Sequence, residues 1–153
     1  MSVPTNVVDD LAIISAVRDR LTDQLPVTTP LTKGYLSEPV DVPLLADKTH
    51  VQRYWVLHPW GGNPEVDPDL AEQSVELAWG FQLTVAAAYA PDAYDLMIRA
   101  RAALFRWRPV VEGYACGPLT PPPGYDPGPV RPDTDFTPHR FWVPLQYRTT
   151  ITR

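Results

Sequence analysis

The chain predicts an α+β fold: a small mixed or antiparallel β-sheet packed by two α-helices, with long proline-rich loops. Three observations carry this. Residues 75–85 alternate, with Val75, Leu77, Trp79, Phe81, Leu83 and Val85 on one side and Glu76, Gln82 and Thr84 on the other, the period of a strand with one buried face. At Pro91 the period changes to three and four, and Ala93, Leu96, Met97, Ala100, Ala103, Leu104 and Trp107 form one stripe of a helix whose first turn tolerates proline. Most of the 19 prolines fall outside these periodic segments, so loops surround a modest core.

The first helix is expected to start at Asn6, which can cap it, with Asp9 and Asp10 in a first turn that favours negative charge. Its apolar stripe is Val7, Leu11, Ile14, Val17 or Arg18, Leu21 and Leu25, and Pro26 ends it near Gln24. Between 27 and 49, Pro30, Gly34, Pro39 and Pro43 break the pattern into extended pieces with turns and a short strand near 31–36. Residues 51–58 suit a pleated surface and predict a strand beside the central one, stopped by Pro59 and by Gly61 and Gly62. Residues 63–70 then form an acidic surface loop long enough to reach another subunit.

Within the second helix, Asp92 suits the N-terminal end, Arg106 and Arg108 the C-terminal end, and Asp95 and Arg99 stand at the spacing of an ion pair. A short strand is expected at 110–115. The stretch at about 116–139 is rich in proline, and a loop of that length in a compact domain implies a job; its Tyr125, Val130 and Phe136 are candidates to anchor it to a neighbour. The last strand, 141–151, turns Phe141, Val143, Leu145, Tyr147 and Ile151 one way and Gln146, Arg148 and Thr150 the other. Pro144 places it at an edge or beside a missing neighbour, and a strand near the end of the chain presents pairing capacity that a partner can cover.

At 153 residues, 1–153 reads as one domain with enough chain for a core without disulfides or metals. The net charge of −5 and the lack of a Lys/Arg run argue against a grip on nucleic acid by phosphate neutralisation and leave a DNA-facing role without binding open. Cys116 is the single cysteine and the first residues lack a signal-peptide pattern, so folding in a reducing cytoplasm is expected. No apolar run approaches the roughly 20 residues of a membrane helix.

Chemical motifs are sparse. Cys116 with His58 or His139 would make a nucleophile only if the fold united them, and scattered residues of these types are usually packing or loop residues. His50, His58 and His139 lack metal-ligand spacing, and residues 60–64 lack that of a phosphate loop and read as a turn after a strand. The acids Asp67, Asp69, Glu72 and Glu76 read as a solvated face or a subunit rim. No catalytic residue, metal or cofactor is assigned. Of the five tryptophans, Trp79 and Trp107 belong to core stripes, whereas Trp55, Trp60 and Trp142 are either a second packed face or interface anchors.

In order and spacing, these pieces resemble the tail terminator proteins of long-tailed phages, in particular those of phages infecting actinobacteria. The pieces are the helix at 11–25, the Trp-Val-Leu-His-Pro-Trp-Gly-Gly run at 55–62, Phe-Gln-Leu-Thr-Val at 81–85, the helix at 93–104, Val-Val-Glu-Gly at 110–113, and Arg-Phe-Trp-Val-Pro-Leu-Gln-Tyr at 140–147. The central strand, extended at 76–80, and the three-proline run at Pro121 depart from the family pattern.

The resemblance implies a homohexameric ring in the virion, assembled in the host cytoplasm, that caps the head-proximal end of the tail tube. Its partners would be its own copies, the tail tube protein and the head–tail connector or stopper protein, and DNA would pass the lumen without specific binding. Acidic residues facing that lumen would repel the DNA. Trp60, Tyr125, Val130, Phe136, Trp142, Pro144 and Arg148 are then the candidate interface residues. Rival expectations are a stopper or head-completion ring, the tube subunit itself, a baseplate ligand-binding module and, last, an enzyme.

Overall fold

The computed structural model describes residues 10–25, 32–64 and 76–152. The order is α1 (Asp10–Gln24), β1 (Lys33–Tyr35), β2 (Tyr54–Pro64), β3 (Glu76–Ala87), α2 (Ala90–Leu104), β4 (Ala115–Cys116), β5 (Arg131–Asp133) and β6 (Arg140–Thr152). This is the expected α+β architecture: two helices on a six-stranded mixed sheet curled into a half-barrel. The expected cap at Asn6, Val7, Pro26, Val75 and the acidic stretch 65–75 lie outside the described residues.

The strand order is β1-β2-β3-β6-β4, with β5 also on β6. β3 is the axis, antiparallel to β2 on one side and to β6 along its whole length on the other. Its odd-numbered residues Trp79, Phe81, Leu83 and Val85 are buried beneath the helices, as their alternation requires. The opposite face is not wholly solvated: Tyr54, Val56 and Ala86 form a second small core with Val51, covered by Tyr35, Val42 and Trp142. The strand therefore has one buried side along part of its length and two at its C-terminal end. Trp79 and Trp55 are core residues.

α2 follows the sequence pattern closely. Pro91 lies in its first turn, and Ala93, Leu96, Met97, Ala100, Ala103 and Leu104 are its buried face. Arg99 Nε donates to Asp95 Oδ2 at 3.0 Å, the expected i,i+4 pair. Asp92 does more than meet the helix dipole, since it accepts from Arg53 at 2.7 Å while Arg53 also reaches Asp95.

Trp107 is not on the helix stripe. The helix stops at Leu104 and Arg106 turns left-handed at φ 62°, so Arg106 and Arg108 lie beyond the last turn, where Arg101 is the basic residue. The segment is diverted because Arg106 N–H donates to the Leu119 carbonyl and Leu119 N–H to that of Trp107. Trp107 reaches the core edge from this loop, under the Arg20 guanidinium.

α1 is rotated from the expected stripe. Ile13, Val17, Leu21 and Leu25 are buried at a strict spacing of four, Ile14 is half-buried, and Leu11 is 75% exposed. With apolar residues at 11, 13 and 14, the pattern allowed more than one facing, and packing on α2 and β2 selected Ile13.

The largest revision concerns residues 59–64. They were expected to stop the strand as a turn, yet β2 continues through Pro59, Gly61 and Gly62 to Pro64, paired with Leu77 to Phe81. Pro59 pairs with Phe81 and Gly61 with Gly80, so Trp60 is the extra residue of a β-bulge, which absorbs the irregularity and lets the ladder resume.

β1 confirms the expected short strand, running parallel to β2. Gly34 is required there: a Cβ would lie 2.0 Å from the buried Trp55 ring. Gly34→Ala is expected to cost roughly 1–3 kcal/mol through overpacking, read as a lower urea midpoint; an unchanged midpoint would mean that Trp55 does not cover this position.

The short strand expected at 110–115 is a turn bridged at Val111 and Tyr114, with β4 following at Ala115–Cys116. β6 carries the expected alternation but is no free edge: β4 pairs its last residues, Ile151 and Thr152, and β5 pairs its first.

Candidate functional site

β6 has a second edge, turned away from β3, and the proline-rich segment 116–139 lies along it. Consecutive strand residues send their N–H and C=O to alternate sides. On the outer side Arg140 and Trp142 are in register with β5, Arg148 exchanges both backbone bonds with Thr120, and the Thr150 carbonyl accepts from Gly117 N–H at 2.8 Å. Pro144 belongs to this series. Its carbonyl accepts from the Tyr125 hydroxyl at 2.8 Å, so its nitrogen, which has no hydrogen to donate, faces the same gap. Of the two placements expected for Pro144, the missing neighbour is the observed one.

By the same alternation Gln146 points its N–H and C=O outward, and no described residue bonds them. A cleft of about 310 Å³ opens there, lined by Arg101 of α2 and Phe105 just past its end, by Pro121, Tyr125 and Pro127, and by Leu145, Gln146 and Tyr147. Its walls are mostly apolar, with the Arg101 guanidinium the cation among its lining residues. Burial pushes the Tyr147 phenol above its usual range, and the Arg101 charge opposes that in part.

A second hollow, of about 300 Å³, lies on the sheet face away from the helices. Trp60, 49% exposed at the bulge, lays its indole over Gly80, where a Cβ would stand 2.7 Å from the ring. Pro122, Gln146 and Arg148 complete the wall. Next to it the register aligns His58, Gln82 and Gln146 across three strands, and Gln146 Nε2 donates to Gln82 Oε1 at 3.3 Å. The pleat puts these polar side chains on one face, opposite the core.

The expected interface residues thus divide. Trp60 and Arg148 line one hollow, and Tyr125 and Pro144 are bonded to each other beside the cleft. Val130 packs on the main core of its own chain, Trp142 on the second core beneath the Arg131 guanidinium, and Phe136 beneath that of Arg140 at 3.9 Å. These three are occupied within the subunit. The segment 116–139 is itself part of the fold, since Leu119 is fully buried and β5 lies within it. Removing 118–132, which the sequence alone would treat as trimming a loop from a folded subunit, would therefore take out core.

Arg101, Phe105, Gln146 and Tyr147 were not singled out from the sequence. A partial signal was present: Tyr94 and Ile98 on α2, away from its buried stripe, and Phe105 just past its end recur at spacings of four and seven, and all three are exposed.

Cys116 is half-buried and burial pushes its thiol up, away from the thiolate that a nucleophile needs. Among the described residues no cluster of three His, Cys, Asp or Glu side chains is placed to hold a metal ion, and no helix is long and apolar enough to cross a membrane.

No family model and no curated protein matches the chain. Thirteen solved chains match it in structure. One of them, whose name describes no activity, aligns over 93% of this chain and 96% of its own length, with a TM-score of 0.52 and 18% identity. At that identity the similarity shows the fold alone.

Proposed function

We propose that this chain is a virion structural protein of a long-tailed phage, a tail terminator subunit. Copies assemble as a closed, hexameric ring at the head-proximal end of the tail tube, end its polymerisation, and offer the opposite surface to the head–tail connector or stopper protein. It works by shape, without catalysis or cofactor, and DNA passes the lumen without specific binding. It is assembled in the host cytoplasm and resides in the tail.

The α+β half-barrel is compatible with the fold that the sequence resemblance implies. The observation that carries the proposal is a set of exposed apolar side chains: Tyr94 and Ile98 on the outer face of α2 and Phe105 just past its end are 42%, 61% and 51% exposed, and Phe105 lines the cleft beside β6. A surface helix ordinarily turns polar residues outward. Large exposed apolar side chains together with an apolar groove mark a protein contact.

The test is the mass and shape of the purified protein. The proposal expects a discrete species near six times the 17.1 kDa subunit, visible as closed rings. Filaments of indefinite length would favour a tube subunit instead. Rings that bind connector but not tube would favour a stopper, and a subunit that stays single at every concentration would defeat the ring.

One alternative has an observation of its own. An exposed indole beside Gln82, Gln146 and Arg148 is also a stacking and hydrogen-bonding surface for a sugar, as in a baseplate ligand-binding module. Titrating glycans while following tryptophan fluorescence, with Trp60→Ala as control, separates the two.

A further inference from the structure

The ring proposal leaves open which surfaces meet, and the subunit carries two features of complementary chemistry. The first is the cleft beside β6. It combines apolar walls from Phe105, Pro121, Tyr125 and Pro127, the Gln146 backbone N–H and C=O that no described residue bonds, and the Arg101 side chain, which is exposed and has no ion pair among the described residues. A site of this kind wants an apolar side chain, a peptide group and a carboxylate close together.

The second feature is the tip of the loop after β1. Val40 is 100% exposed and Asp41 beside it is exposed. The tip is held at both ends. Glu38 accepts from Arg140 at 3.0 Å, Val42 packs on the second core, and the Pro43 carbonyl accepts from Gln52 N–H at 2.8 Å. Pro39 and Pro43 stiffen the backbone on either side. A fully exposed valine on a tethered loop is presented at little entropic cost to whatever receives it. Neither Val40 nor Asp41 lines the cleft of its own chain, and the anchors keep the tip in place.

Resting on the ring reading, we propose that Val40 and Asp41 of one copy dock into the cleft of the next, with Val40 against Phe105 and Tyr125, its peptide group on the Gln146 backbone, and the Asp41 carboxylate on Arg101. The contact joins two different surfaces of the same chain, so it is heterologous: each copy gives a tip and receives one, and the series closes into a ring when the rotation per step divides a full turn.

The experiment is a charge exchange followed by analytical ultracentrifugation. Arg101→Glu and Asp41→Arg change exposed side chains, and a thermal melt of each checks that the subunit remains folded. Each alone is expected to raise the concentration at which the assembly falls apart by roughly tenfold or more. The double variant, and a one-to-one mixture of the two single variants, should both reassemble, because every tip then meets a cleft of opposite charge. Val40→Ser should weaken assembly without changing its salt dependence.

Single variants that assemble as the parent does would overturn this contact and leave the ring standing. Disassembly that neither the double variant nor the mixture restores would overturn the Asp41–Arg101 pairing. A parent protein that never assembles would remove the ring and the contact together.

Discussion

Replacing Trp79 by alanine is expected to lower the unfolding free energy by about 3–5 kcal/mol, the largest loss anticipated from a single apolar truncation in this chain. The side chain is 1% exposed on the central strand and its ring meets Phe81 at 5.5 Å between centroids. Neighbours on β3 are held by pairing on both sides, so the cavity cannot close by shifting one strand. The comparison with Trp79→Phe gives the result its meaning. Trp79 Nε1 has no hydrogen-bond partner among the described residues, and a buried unpaired donor costs about 1–3 kcal/mol. Phenylalanine removes that donor while losing less volume, so its loss should be much the smaller of the two. Urea unfolding of both variants, with the slope checked for constancy, decides the matter. A Trp79→Ala protein as stable as the parent would mean that this face of β3 is not core.

The second large effect is expected at Arg140. Its side chain is 10% exposed and donates to Glu38 at 3.0 Å and to Asp133 at 3.3 Å, while its guanidinium also bonds the Tyr54 hydroxyl and lies on the Phe136 ring. One cation thus joins the loop after β1, the start of β2, β5 and the start of β6. Truncation to alanine leaves two carboxylates without their counter-ion and the buried Tyr54 hydroxyl without its donor, and is expected to cost about 3–5 kcal/mol. Burial already pushes the Tyr54 phenol above its normal range despite the Arg140 charge, so losing that charge raises it further. Arg140→Lys should retain part of the stability, because an ammonium keeps the charge but lacks the planar fork that serves Glu38 and Asp133 together. Equal losses in the two variants would show that the geometry of the fork, and not the charge, holds the corner.

The Arg140 corner shows where sequence legibility ends. Arginine at 140 opens a strand that is legible from its alternation, and nothing local says that its partners are residues 38, 54 and 133. Those distances along the chain are closed only by the strand order, which places β6 beside β3 and β3 beside β2. The same holds for the cleft. Gln146 reads as an outward polar residue, which its side chain is, but that no described residue bonds its backbone depends on Thr120 and β5 pairing on either side of it and leaving the middle open.

Errors of reading were equally physical. Pro59 and the two following glycines carry every local sign of a strand end, yet pairing with β3 continues past them because a bulge at Trp60 takes up the irregularity. Tyr125, Val130 and Phe136 were legible as anchors. That all three bind their own chain follows from the course of 116–139 along β6, which proline content does not encode.

From the amino acids alone came the two central elements and their facing: a strand where the period is two, a helix where it becomes three and four beyond Pro91, and Trp79 on the inner side of the first. Those properties are local, since a side chain's direction is set within a turn or a pleat by its own backbone. What the three-dimensional arrangement decided was which edges are closed and which remain open, leaving an apolar groove by Gln146 and a charged tip at Asp41. Closure depends on hydrogen-bonding groups supplied from tens of residues away, and no short stretch of chain carries that information.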